Sequence, residues 1–254
     1  MRVRAKKSLG QHFLVDENIV RVIGRLAQLG PDDVVLEIGP GLGILTRHLA
    51  DRVGRVHAVE LDRSLAEELD RLPANVVVHY GDAVRFDYAA LDPAPTKLVA
   101  NLPYNVATPI VVESIDGIPT LEHWCVMVQR EVADRFFAQP ETKAYGAVSV
   151  LVQLAAERTG FHAVARTVFR PQPHVDSALV AFRRKALPAD YARVKQVVVA
   201  AFAHRRKKLA NSLELAGVAS RANAAGALRA IGLDESARAE WLLPQAFVAL
   251  TRAL

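Results

Sequence analysis

Cysteine is almost absent from this sequence. The single thiol, Cys125, lies in the apolar stretch Trp124-Cys125-Val126-Met127-Val128. One cysteine excludes a disulfide within the chain and leaves no Cys cluster for zinc. The eight histidines show no metal-ligand spacing either. No metal is therefore expected, and a reducing, cytoplasmic setting is. No apolar run reaches membrane-spanning length, so no transmembrane segment is expected. The basic start, MRVRAKK, is followed by SLGQHFL rather than by an apolar core, which argues against a secretion signal. Internal repeats and low-complexity tracts are also missing, which excludes solenoid and fibrous classes.

What is present is a chain of 254 residues that is 51% hydrophobic, with 14 Gly and 13 Pro. That suits one large or two modest globular domains with ample core. The formal charge of +5 is unevenly placed. Residues from Ala186 onward hold ten Lys/Arg and five Asp/Glu, while the first 185 hold 22 of each sign. Arg2, Arg4, Lys6 and Lys7 form a second basic cluster at the amino terminus. Two basic regions flanking a neutral body suggest a polyanionic partner. Solvated helix faces would carry the same charges.

Residues 16 to 29 repeat apolar positions at helical spacing, with Asp16 placed to cap and Gly30-Pro31 to stop the helix. Residues 33 to 38 then read as a buried parallel strand. It runs into Gly39-Pro40-Gly41-Leu42-Gly43, followed by a helix over 44 to 53. Strands are expected at 55–59 and 76–80, with a charged helix over 64–72 between them. The next strand is Leu98-Val99-Ala100. Helices are expected at 107–118, 129–138 and about 146–158, and strands at 122–128, 161–169 and 177–184. Alternating strands and helices predict a parallel α/β sheet with right-handed crossovers. Ala186 to Ala189, with Pro188, marks a boundary. The expected domains are 1–185 and 186–254, the second a small helical bundle interrupted near Gly217 and Gly232.

Chemistry gathers at the strand ends. Gly39, Gly41 and Gly43 let backbone approach a ligand beside a helix amino terminus. Glu60 ends the second strand, where a carboxylate can accept from both ribose hydroxyls. Asp82 follows the third and can accept from an adenine amino group. Asn101-Leu102-Pro103-Tyr104 follows the fourth, and Pro103 stiffens the turn. The Asn101 side-chain oxygen and a backbone carbonyl can each take one hydrogen of an adenine amine, localising its lone pair. Tyr104 can stack on the base. Asn and Pro are also ordinary residues for a strand-to-helix turn.

The spacing E-x-G-x-G-x-G from Glu37 resembles the first motif of methyltransferases that use S-adenosylmethionine. The chain as a whole resembles the ribosomal RNA adenine dimethyltransferases, and among them the bacterial small-subunit type. SLGQHFL (8–14), LEIGPGLGILT (36–46), VELD (59–62), GDA (81–83) and NLPYN (101–105) occur in family order. QREVADRF (129–136), KAYGAVSVLVQ (143–153), FRPQPHVDSA (169–178) and FAHRRKKLANSL (202–213) look equally typical. The resemblance implies a seven-stranded Rossmann-like fold and direct methyl transfer, without a metal, to two adjacent adenosines near the 3′ end of small-subunit (16S) ribosomal RNA. It implies cofactor contacts at His12, Leu14, Gly39, Glu60, Asp82 and Asn101, joined by Gly41 of the glycine loop. Many members have Asn where this chain has His12, and either can donate a hydrogen bond. Phe169 looks like a second aromatic that sandwiches the base with Tyr104. Arg205, Arg206, Lys207 and Lys208, on an expected helix, are the candidate phosphate contacts. A monomer is expected. Two rivals remain at this point: a large-subunit methyltransferase of the same superfamily, and an RNA-binding assembly or transcription factor that keeps the fold without catalysis.

Overall fold

The computed structural model describes residues 5, 6, 9–204 and 206–254. The chain divides into two compact units. The first holds residues up to Ala133 together with Glu157–Arg184, and the second holds Asp134–Ala156 and Lys185–Leu254.

The first unit is built on a sheet of seven strands. In chain order these are β2 (Val34–Ile38), β3 (Arg55–Glu60), β4 (Val76–Tyr80), β5 (Lys97–Asn101), β6 (His123–Gln129), β7 (Ala156–Val164) and β9 (Ser177–Arg184). Two further strands, β1 (Phe13–Leu14) and β8 (Phe169–Arg170), pair with each other outside that sheet. The order across the sheet is β4-β3-β2-β5-β6-β9-β7. β2 runs parallel to β3 on one side and to β5 on the other. β9 runs antiparallel to β6. The strand order therefore reverses at β2 and β5, where open α/β sheets form a crevice at their carboxyl ends.

The sequence accounts for these elements locally. β2, β3, β5 and β6 are almost wholly buried, as parallel strands covered on both faces must be. The helix α1 (Glu17–Ala27) starts at Asp16, whose side chain accepts from Asn18 N–H at 2.8 Å and Ile19 N–H at 3.1 Å. It ends at Gln28, which adopts φ 49°. Short helices follow the strands: α2 (Ile44–Ala50), α3 (Ala66–Leu69) and α4 (Ala107–Gly117). The core gathers Val35, Val56, Val99 and Cys125 from the sheet with Ile23 and Leu49 from the helices.

The helix α5 (Arg130–Phe136) runs across the division between the units. The second unit holds α6 (Ala147–Ala155), α7 (Tyr191–Ala203), α8 (Leu209–Leu215), α9 (Arg221–Ala230) and α10 (Pro244–Ala253). Gly217 and Gly232, with φ of 70° and 76°, close α8 and α9. Buried hydrogen bonds tie the bundle, including Tyr145 Oη to Leu242 O at 2.6 Å and Ser212 Oγ to Ala200 O at 2.7 Å.

Several elements differ from the sequence reading. Residues 134–156 group with the helical unit rather than with the sheet, because α6 (AVSVLVQLA) is buried on nearly every side and packs on α7 and α10. The helix expected over 146–158 also stops at Ala155, where β7 begins without a break. Glu157 and Arg158 are therefore strand residues at the edge of the sheet.

Candidate functional site

Four consecutive parallel strands deliver the site. Gly39 leaves β2, Glu60 ends β3, Gly81-Asp82 leave β4 and Asn101 ends β5. All line one pocket, with Gly41, Tyr104 and the amino-terminal residues Leu9 to Phe13. The glycine loop is tight at Gly41. Gly41 has φ 57°, and a Cβ there would lie 3.0 Å from the Phe13 ring.

Glu60 is 6% exposed. Its Oε2 accepts from Gly41 N–H at 3.2 Å and its Oε1 from Asp62 N–H at 2.8 Å. Burial pushes its carboxyl up from the ordinary value, and the two N–H donors offset part of that rise. Behind the loop, Glu37 is buried and pushed up to about 8, chiefly by burial, with the Thr46 hydroxyl countering and Glu60 adding. Asp82 lies on the pocket wall and turns the chain by accepting Val84 N–H at 3.0 Å.

The amino-terminal segment roofs this pocket and is tied down at Asp62. Lys6 Nζ donates to Asp62 Oδ1 at 2.6 Å, and Gln11 Nε2 donates to Asp62 Oδ2 at 2.9 Å. Burial works to raise the Asp62 carboxyl, but the Lys6, Ser64 and Gln11 donors outweigh it and hold the group well below the usual carboxylate range. The sequence reading passed over this tie. Its only signal was the VELD motif, and its donors stand more than fifty residues away.

The turn after β5 carries the most specific geometry. Asn101 Nδ2 donates to the main-chain carbonyl of His12 at 3.3 Å. A carbonyl can only accept, so the amide nitrogen must face it and Oδ1 is turned the other way. That oxygen is buried and has no hydrogen-bond partner among the described residues. Tyr104 Oη lies 2.6 Å from Ser177 Oγ. Burial raises the Tyr104 hydroxyl above its ordinary pKa, partly offset by Ser177. The His12 ring stacks on Tyr104 with centroids 5.6 Å apart, and His12 Nδ1 donates to Pro171 O at 2.7 Å.

Other candidate residues are placed differently. Leu14 is buried and its side chain is not on the pocket wall. Phe169 is fully buried. It pairs with Leu14 in the β1–β8 ladder and sits among the core residues, so neither face of its ring is open to a base. Residues 204 and 206–208 lie between α7 and α8 and are not part of a helix. The chain folds back there, with Lys207 N–H bonded to His204 O at 2.8 Å. Arg206, Lys207 and Lys208 are exposed on it, while Arg205, Arg2, Arg4 and Lys7 lie outside the described residues. No group of three or more His, Cys, Asp or Glu among the described residues could hold a metal. No described helix is long and apolar enough to cross a membrane.

A largely parallel sheet reversing at β2 and β5, a glycine loop after β2 and acidic strand ends have the Rossmann-like form of the S-adenosylmethionine-dependent methyltransferases. The family profile described as ribosomal RNA adenine dimethylase matches residues 2–248. This chain belongs to that family. It is 49% identical to a ribosomal RNA small subunit methyltransferase A from Rubrobacter xylanophilus, over 99% of this chain and 95% of the relative. Among solved structures, 23S rRNA methyltransferase ErmE is similar at a TM-score of 0.67 and 31% identity, covering 95% of this chain and 99% of that one. A dimethyladenosine transferase from Plasmodium falciparum shares the fold at a TM-score of 0.78 and 23% identity, covering 94% and 96%.

Proposed function

We propose that this chain transfers methyl groups from S-adenosylmethionine to the amino groups of two adjacent adenosines in a loop near the 3′ end of 16S ribosomal RNA. The observation that carries the reading is that Asn101 lines the pocket and its buried Oδ1 has no hydrogen-bond partner among the described residues. An orphaned acceptor in such a place calls for a donor from a ligand. An exocyclic amine is such a donor, and it needs an acceptor as its nitrogen becomes tetrahedral. A main-chain carbonyl of the 101–104 turn takes the second hydrogen. Tyr104 stacks on the base and holds it in line.

The remaining wall fits the cofactor. Glu60 accepts from ribose hydroxyls and Asp82 from the adenine amine. Gly39 and Gly41 admit close approach of backbone, and His12 closes the pocket from the amino-terminal segment. Leu14 and Phe169 act from beneath as core residues. The cofactor supplies an electrophilic methyl on a sulfonium. No group of the chain has to titrate, since an amide remains an acceptor at every pH.

Relatives named for the small ribosomal subunit support that subunit as the substrate. Loop adenines suit the site because an unpaired base is extruded at low cost. Arg205, Arg206, Lys207 and Lys208 contact phosphates, and the enzyme works in the cytoplasm as a monomer. Labelled-methyl transfer to immature small subunits, large subunits and naked RNA tests this. Small subunits should be labelled at two adjacent adenosines. Labelling of large subunits alone would contradict the reading.

A further inference from the structure

We propose that Ser177 is a positioning residue that holds the Tyr104 ring where a target base stacks, an inference that rests on the function proposed above. Ser177 opens β9, and its backbone is set by the sheet opposite Gln129 of β6. β9 is antiparallel to its neighbour, so its first residue lies at the edge where β5 and β6 end. A parallel strand would bring its last residue there instead. This puts a hydroxyl from residue 177 beside a ring 73 positions earlier in the chain.

The contact is short and enclosed. Ser177 is 1% exposed, and its Oγ lies 2.6 Å from Tyr104 Oη. Ser177 therefore cannot touch RNA itself and acts only through the tyrosine. A tyrosine side chain swings about two torsions, and its hydroxyl is the far end of that lever. Holding the hydroxyl fixes the direction of the ring's long axis, and the plane about that axis is left to the rings packed against it. The His12 ring, anchored on Pro171 O, steadies the same tyrosine from its face. Stacking depends on the orientation of that plane as well as on contact area.

The test is a mutant cycle between the two hydroxyls. It is read by single-turnover methyl transfer to immature small subunits, and by quenching of 2-aminopurine placed at the target position of an RNA hairpin. Ser177→Ala is expected to lower the transfer rate about tenfold and to weaken the quenching. Ser177→Thr, which keeps a hydroxyl, should restore both, and cofactor affinity should stay at the wild-type value in each variant. Tyr104→Phe removes the same bond from the other side and should match Ser177→Ala. The double variant should then be no worse than either single one. Losses that add in the double variant would overturn the proposal, because Ser177 would then act on the sheet rather than on the ring. So would wild-type transfer and quenching by Ser177→Ala beside a Tyr104→Ala variant that has lost both, and that result leaves the proposed site standing. Wild-type transfer by Tyr104→Ala would remove the ring from the site, and this proposal with it.

Discussion

Asn101 is oriented by His12, whose main-chain carbonyl takes one amide hydrogen across 3.3 Å and leaves the side-chain oxygen buried, with no hydrogen-bond partner among the described residues. The two residues are 89 positions apart. The amino-terminal segment therefore does more than cover the pocket: it fixes which way the Asn101 amide is turned. Lys6 and Gln11 fasten that segment to Asp62, whose own N–H bonds Glu60. Through these few bonds, the acceptors proposed for the cofactor and for the target base share one support.

Glu60 provides the first prediction. Replacing it with Ala should weaken S-adenosylmethionine binding by about 1.5–3 kcal/mol, the range for a hydrogen bond to a charged group. Binding of ribosomal particles should barely change. Calorimetry that finds the cofactor affinity unaltered would take Glu60 out of the site.

Much of this was legible because parallel strands announce themselves. β2, β5 and β6 are apolar runs that end in glycine or polar residues, so both the strand and its chemically useful end can be read directly. Seven strands were expected and seven form the main sheet. β7 was harder to place. It follows α6 without a breaker, and most of its residues are exposed on the sheet's edge, so no apolar alternation marks its start. The grouping of 134–156 with the helices was hidden for another reason: packing partners of α6 such as α10 lie almost a hundred residues on. Phe169 looked like a stacking ring from its motif, yet a two-residue ladder with β1 turns it into the core. The Ser177–Tyr104 bond depends on one strand running backwards, which no local pattern reports.

His123 provides a pH prediction. Burial, aided by the nearby Lys97 charge, lowers its pKa from 6.5 to about 4. Between those values the unfolded chain binds a proton that the folded chain does not. Stability present above pH 6.5 is therefore lost as pH falls toward 4, by up to about 3 kcal/mol. Glu37 acts in the opposite sense, since its raised pKa favours the folded state as pH falls. The effect of His123 is thus read as a difference between two proteins. Denaturation midpoints measured from pH 7.5 to 4.5 should fall less steeply for His123→Gln than for wild type. Parallel curves would mean that His123 does not titrate in this way.

The basic turn before α8 provides the third. Replacing Arg205, Arg206, Lys207 and Lys208 with Gln should weaken binding to ribosomal particles. It should also flatten the dependence of log affinity on log salt by roughly 0.7–0.9 for each phosphate that is no longer neutralised. Such cations position the substrate without reading its sequence. Cofactor affinity should be unchanged. An unaltered salt slope in a folded quadruple variant would assign the turn to ordinary solvated surface and move phosphate binding to Arg2, Arg4, Lys6, Lys7 and the cleft.

The most direct test is the single-turnover rate of Asn101→Ala on immature small subunits, with cofactor and particle both at saturating concentration. The account predicts that the variant still binds its particle and loses methyl transfer by about a hundredfold or more, the scale for removing one acceptor or donor that acts in the transition state. A variant that transfers methyl at close to the wild-type rate would contradict it.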